Sequence, residues 1–274
     1  MIDLHTHTTA SDGRLTPREL VARAVAAGVT VLAVTDHDTV AGCDEAARAA
    51  AAARIEFVPG IEITAIRHGA DVHVLELFID IRSPGLLAFL SEQRRLRIER
   101  VRRIVERLAR HGIALDADAI VRPAVDDPNR SAGRPWVARA MVAAGHVASS
   151  EDAFARWLGR DRPAFVPRQG APPDDVVARI HDAGGLASLA HPALIDDDRW
   201  IPELARAGLD AIEAYHSKHD REATARYLAM AGALGIAVSG GSDFHGDPAH
   251  GPPAPGSVSL PRQEFERLVC RKRS

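Results

Sequence analysis

The sequence predicts an α/β fold: a seven-stranded (β/α) barrel carrying a small helical insertion. Three observations predict it. Short apolar runs alternate with amphipathic helical patterns along most of the 274 residues, which is the rhythm of a sheet built with helical crossovers. The alternation stops between residues 85 and 169 and then resumes. Histidines and carboxylates fall in or just after the apolar runs, where a barrel would gather them on one rim.

The elements follow in order. Ile2–Leu4 reads as the first strand and runs into His5 and His7. Thr16-Pro17 opens a helix over Thr16–Ala27 that Gly28 closes. Val31–Val34 is the second strand, followed by Asp36, His37 and Asp38 and by a helix over Val40–Ala53. Phe57–Thr64 holds Glu62, and Val72–Phe78 holds His73, with Arg67-His68-Gly69 as the turn between them. These strands are apolar along most of their length, as buried parallel strands are. Leu86–Arg110 is a long helix in which Val101, Ile104, Val105 and Leu108 form the apolar stripe. Trp136, Met141, Phe154 and Trp157 supply core anchors for the insertion. Pro172-Pro173-Asp174 then opens a helix to Ala183. Strand Leu186–Ala190 ends at His191, and strand Ala211–Tyr215 carries Glu213 and meets His216. Strand Ile236–Ser239 leads to Asp243 and His245; helices over Ile201–Ala207 and Arg221–Leu234 separate these last three strands. Gly256–Leu260 reads as one further short strand. The domain organisation expected is a barrel over 1–84, a helical insertion over 85–169 that serves as a substrate lid, and the rest of the barrel over 170–274.

Composition excludes several classes. An apolar share of 46% and a charged share of 26% exclude wholesale disorder. No stretch approaches the roughly 20 apolar residues of a membrane-spanning helix. The opening Met-Ile-Asp-Leu-His carries no secretory pattern, and two cysteines, Cys43 and Cys270, suit a reducing cytoplasm. The expectation is a cytoplasmic protein with no membrane contact and no obligate protein partner. Residues 81–170 hold 17 arginines against 10 acidic residues, whereas the remainder is net negative. That polarity suits an anionic substrate drawn between the two parts.

Alternate residues of a strand share a face, so His5-x-His7 and Asp243-x-His245 each present two donors to one centre. With Asp36, His37, Glu62, His73, His191 and Glu213 at other strand ends, burial of so many imidazoles and carboxylates calls for cations. The donor set lacks thiolate and suits Mn, Zn or Fe. It exceeds one tetrahedral site, so two or three ions are expected, with Glu62 able to bridge two of them. His68, His111, His146, His181 and His250 lack this context and read as surface or structural. Tyr215-His216-Ser217-Lys218-His219 forms a compact cationic group suited to phosphate, in which His216 or His219 could protonate a leaving oxygen.

His5-Thr6-His7, Thr35-Asp36-His37-Asp38, Gly60-Ile61-Glu62, His73, Ala190-His191-Pro192 and Ser242-Asp243-Phe244-His245 resemble the motif series of the PHP (polymerase and histidinol phosphatase) family. Ser11-Asp12-Gly13 and Thr39 point to its stand-alone TrpH-like bacterial branch. The resemblance implies a distorted (β/α)7 barrel and a trinuclear site. It would place His5, His7, Glu62 and Asp243 on a first ion, Glu62, His73 and His191 on a second, and Asp12, His37 and His245 on a third. Asp12 stands where other branches carry histidine. Asp36 and Asp38 would orient ligands. Gly133-Arg134-Pro135-Trp136 is similar to a Gly-Arg-Pro-His segment of the branch, with Trp136 in the histidine's place. Asn129, Arg130 and Arg134 are then candidate substrate contacts together with Lys218 and His219, and His216, Lys218 and His219 are candidate catalytic groups. The activity implied is removal of the 3′-phosphate from nucleoside 3′,5′-bisphosphates by metal-activated water, most naturally with manganese. The alternatives are 5′-to-3′ exonuclease action on short RNA and a non-catalytic metal- or nucleotide-binding module.

Overall fold

A computed structural model describes residues 1–127, 130–195, 197–247 and 251–272. Asn129 and His250 lie outside these residues. Seven strands form one sheet in chain order: β1 (Ile2–Asp3), β2 (Val31–Val34), β3 (Glu56–Arg67), β4 (Ala70–Leu77), β5 (Leu186–Leu189), β6 (Ala211–His216) and β7 (Ala237–Gly241). The helices α1 (Pro17–Ala26), α2 (Cys43–Ala53), α7 (Pro173–Asp182), α8 (Ile201–Arg206), α9 (Arg221–Leu234) and α10 (Arg262–Val269) surround it. Between β4 and α7 lie α3 (Pro84–Arg110), α4 (Ala117–Asp126), α5 (Arg134–Ala143) and α6 (Ser150–Ala153), the last running into a π-helical turn over Phe154–Leu158.

The barrel is not uniformly parallel. β1–β2–β3 and β5–β6–β7 are parallel, but β4 runs antiparallel to both β3 and β5. The cause is local: only His68 and Gly69 join β3 to β4, both with positive φ (49° and 76°). Two such residues make a tight hairpin turn and leave no length for a crossover helix.

Beyond β1 the chain closes against the end of β7. The Leu4 N–H donates to Gly240 O at 3.2 Å, Asp243 N–H to His5 O at 2.8 Å and His7 N–H to Phe244 O at 2.9 Å. A Cβ at Gly241 would sit 2.4 Å from the His5 nitrogen, so this approach needs glycine. Fully buried Asp3 fastens the seam. Its Oδ1 accepts from Ser242 N–H at 2.9 Å and His5 N–H at 3.3 Å, and its Oδ2 from Ser242 Oγ at 2.6 Å and Gly256 N–H at 2.7 Å. The strand expected over Gly256–Leu260 does not form. This stretch meets β1 only at Ile2, whose N–H donates to Ser259 Oγ and whose carbonyl accepts from Leu260 N–H, each at 2.9 Å. A two-residue β1 offers too little edge for a ladder.

Two hydrophobic clusters fill the space between sheet and barrel helices. A third, with Val101, Ile104, Leu108, Val137 and Met141 at its centre, lies wholly within residues 98–166. Helix α3 spans both regions: Leu86, Phe89 and Leu90 pack on the barrel and its later turns on the insertion. At 27 residues it runs roughly 40 Å. Among the described residues no helix is long and apolar enough to cross a membrane.

One buried group lacks compensation. Glu76 of β4 is fully buried, and neither carboxylate oxygen has a hydrogen-bond partner among the described residues. Burial holds its pKa well above the usual glutamate range. A folded-state pKa above the unfolded value means that stability is lost as pH rises from the unfolded toward the folded value. Glu76→Met, which keeps the volume, is therefore expected to raise stability by about 1–3 kcal/mol near pH 8 and by less near pH 4. Thermal melts at the two pH values check this; an equal or negative change at pH 8 would refute it.

Candidate metal centre

The strand ends converge as the rim argument expects. Glu62 of β3 is the hub and is 1% exposed. Its Oε2 lies 3.3 Å from His5 Nε2, 3.3 Å from His7 Nε2 and 3.0 Å from His37 Nδ1. Its Oε1 lies 2.8 Å from His73 Nδ1 and 3.0 Å from His191 Nε2. Asp243 Oδ1 is 3.3 Å from His5 Nε2 and 3.1 Å from His7 Nε2. Asp12 reaches His245 at 3.4 Å, His37 at 3.8 Å and His7 at 3.9 Å. The nine residues expected as ligands thus form one continuous cluster, and eight of them, all but His191, fall together with His216 into groups whose donor atoms lie within 4.8 Å of one another.

Divalent cations fit this cluster. His5 Nε2, both ring nitrogens of His7, His37 Nδ1, His191 Nδ1 and Glu62 Oε2 are buried without a hydrogen-bond partner among the described residues. Lone pairs withheld from water and from donors in this way are satisfied by cations. Hard and borderline donors without thiolate match the Mn, Zn and Fe class. His5 and His7 are sealed at the floor, whereas Asp12, Asp243 and His245 are 22–30% exposed at the mouth.

Protons occupy part of this charge balance. Burial pushes the His7 pKa down, but hydrogen bonds and charge from Asp243 and Glu62 override it and raise it to about 10. His5 is likewise opposed by burial and raised well above the usual range by Glu213, Asp243 and Glu62. Burial opposes ionisation of Glu62 and Asp243, yet the surrounding imidazoles hold both well below the usual carboxylate range. Because a cation takes a neutral imidazole, loading with manganese is expected to release at least one proton, and affinity should fall as pH drops. Calorimetry in two buffers of different ionisation enthalpy measures this; identical heats would contradict it.

Several supports were not legible as such. Glu213 accepts from His5 Nδ1 at 2.9 Å and from the His191 N–H at 2.7 Å, fixing one ring's tautomer and one backbone. His191 needs that hold, since its φ is 28° directly before Pro192. Asp36 grips the loop that carries Asp12, accepting from Thr8 N–H at 2.7 Å, Thr8 Oγ1 at 2.6 Å and Ser11 Oγ at 2.7 Å. Asp38, expected to orient a ligand, instead accepts from Thr64 N–H at 2.8 Å and Arg97 Nε at 2.6 Å. Arg97 also donates to Ala132 O at 3.3 Å and so ties α3 and the loop before α5 to the rim.

The structure places the remaining expected residues as follows. The His216 side chain is fully buried on the cluster floor, away from the mouth. Its Nδ1 accepts the Lys218 N–H at 3.1 Å, so the neutral ring carries its proton on Nε2, 3.4 Å from Asp243 Oδ2. It lies against Asp243, beside His5. His219 is spent on backbone: Nδ1 donates to Ala214 O at 3.0 Å and Nε2 accepts from Ala193 N–H at 3.4 Å. Arg130 is exposed, with its guanidinium 5.5 Å from the Trp136 ring. Arg134 packs 5.6 Å from the Phe154 ring, donates to Leu158 O at 3.4 Å and stands 3.8 Å from Asp71 at the start of β4. Lys218 does face the mouth. It lines a cavity of about 800 Å³ shared by Asp12, Asp243 and His245 of the cluster and by Arg139 and Phe154 of the insertion. Ser217 Oγ is buried on the same wall without a partner among the described residues.

Known proteins resemble this chain over nearly its full length. The family model of the PHP domain matches residues 3–115. A 5′-3′ exoribonuclease of Haemophilus influenzae is 37% identical over 89% of this chain and 89% of its own length. A 3′,5′-nucleoside bisphosphate phosphatase of Chromobacterium violaceum is 36% identical over 98% of this chain and 94% of its own. The crystal structure of a Bifidobacterium adolescentis protein, inferred to be a metal-dependent phosphoesterase, superposes with a TM-score of 0.87 at 30% identity, covering 99% of this chain and 96% of that one.

Proposed function

The chain belongs to the PHP family and is a metal-dependent phosphoesterase, and from that premise we propose that it removes the 3′-phosphate from nucleoside 3′,5′-bisphosphates. The observation that carries this reading is the cavity over the cluster, whose far wall offers an arginine, a lysine and an aromatic ring. Those groups suit an anion beside a base, not a simple sugar phosphate. The similarity to the Chromobacterium violaceum phosphatase supports the same choice.

In this reading His5, His7, Glu62 and Asp243 hold one cation, Glu62, His73 and His191 a second, and Asp12, His37 and His245 a third, with manganese the preferred ion. Bound divalent ions lower the pKa of water and neutralise phosphoryl oxygens. The chain's own groups do the rest. Lys218 and Arg139 offset the charge of the substrate at the mouth. Phe154 offers a face for the base, and His216 keeps Asp243 oriented through its Nε2 proton. The insertion roofs the cavity as a lid, and a cytoplasmic setting accords with free Cys43 and Cys270.

The test compares phosphate release from adenosine 3′,5′-bisphosphate, 3′-AMP and 5′-AMP with manganese. The bisphosphate is expected to lead in kcat/KM by at least tenfold; equal turnover of all three would overturn the proposal. A second reading, stepwise 5′-to-3′ cleavage of short RNA, is favoured by the similarity to the 37% identical exoribonuclease. Shortening of a labelled oligoribonucleotide one residue at a time, without bisphosphate turnover, would assign that activity instead.

A further inference from the structure

The outer face of α5 carries a group that the metal centre does not use. Trp136, expected as a core anchor of the insertion, is only half-buried, whereas Val137, Ala138 and Met141 of the same helix fill that core. It borders a cavity of about 370 Å³ between α4 and α5, lined also by Ile120, Pro123, Arg130 and Arg139. No carboxylate borders this cavity among the described residues. The Arg130 guanidinium lies 5.5 Å from the centre of the Trp136 ring. Arg139 is exposed and has no hydrogen bond or ion pair among the described residues.

This cavity adjoins the mouth of the metal centre. Arg139 borders both, and at the mouth it meets Asp12, Asp243 and His245. Trp136 also borders a narrow space beside Asp12 and His37. Helix periodicity explains the shared wall. Trp136, Arg139 and Ala140 are neighbours at i, i+3 and i+4, and Pro135 pairs with Arg139 in the same way at the mouth. Past Arg130, a further hollow of about 240 Å³ is bordered by Arg94. Arginines thus mark a path from the cluster outward over the insertion.

Guanidinium groups on either side of an indole, with no acid between them, suit a chain of phosphates whose flat bases stack. An acidic peptide would match the charge and leave the aromatic face idle. We propose that Arg130, Trp136 and Arg139 form a stacking subsite for the nucleoside that follows the reacting phosphate, so that the chain grips single-stranded oligonucleotides beyond the nucleotide it acts on. The inference goes beyond the bisphosphate reading, whose substrate has no nucleoside past that phosphate, and rests on it only for which phosphate meets the cations. The exchange at phosphorus is the same for the longer substrate. Water oxygen bonds to phosphorus, the P–O3′ bond breaks and the 3′ oxygen takes a proton. The phosphate then stays on O5′ of the following nucleoside instead of leaving free.

Fluorescence anisotropy on manganese-loaded protein tests the subsite. The probes are two 5′-phosphorylated, 3′-labelled pentanucleotides with phosphorothioate linkages, which slow hydrolysis. One is all adenosine; the other carries stable abasic residues after the first adenosine. Wild-type protein is expected to bind the all-adenosine probe at least tenfold more tightly. In Trp136→Leu, which keeps apolar packing but removes the stacking plane, the gap should shrink below threefold, and Trp136→Tyr should restore most of it. Equal affinity of wild type for both probes would overturn the proposal. So would an equal loss on both in Trp136→Leu, which marks a structural role. Arg130→Gln should lower the slope of log Kd against log salt by about 0.7 for either probe; an unchanged slope would remove Arg130 from the subsite. If wild-type protein releases no phosphate from adenosine 3′,5′-bisphosphate, the functional reading fails while the gap between the probes still judges the subsite.

Discussion

Glu62→Gln is expected to lower manganese-supported phosphate release by at least about a thousandfold, equivalent to roughly 4 kcal/mol in the transition state. Its two oxygens stand between five imidazoles, at 2.8–3.3 Å. An amide keeps one acceptor and turns an N–H₂ toward groups that must offer lone pairs to the same centre. It also removes the negative charge that two cations would share. The fold should persist, because Glu62 Oε2 makes no hydrogen bond whose loss would strand a partner. Activity, bound manganese and the far-ultraviolet circular dichroism spectrum are measured together. A variant with full metal content and activity within tenfold of wild type would contradict the hub role.

Asp3→Ala is expected to cost about 3–5 kcal/mol of stability, since it strands several buried donors at once. Four hydrogen bonds end on this one carboxylate, and they join β1 to the segment after β7 and to Gly256. Urea unfolding gives the change, and hydrogen exchange should localise the loosening to residues 240–245 and to α10. A loss below about 1 kcal/mol would show that the backbone bonds at Leu4, His7 and Asp243 close the barrel by themselves.

The alternation of strand and helix was legible because each apolar run is bounded by its own turn chemistry. Eight of the nine expected ligands were legible because strand ends are where such residues have no packing reason to be, whereas Asp12, in the loop beyond β1, was legible only through the family resemblance. The direction of β4 was harder, although the two-residue link His68-Gly69 already excluded a crossover. Glu213 was seen as a strand carboxylate, but its service to both His5 and His191 depends on strands far apart in sequence. Arg97 and Arg100 left a signal that charge counting hid. They share the buried face of α3 with Leu90, Val101 and Ile104, a stripe in which arginine is out of place unless something awaits it. The contacts of His216 with Asp243 and of His219 with the Ala193 and Ala214 backbone were not legible, because they depend on how the chain turns after β6.

The expected ligands come from both flanks of the insertion: six lie between residues 5 and 73, and His191, Asp243 and His245 follow it. During biosynthesis, therefore, no partial chain emerging from the ribosome holds the finished centre. Metal capture belongs to the last moments of folding, after the seventh strand has left the exit tunnel and met the first.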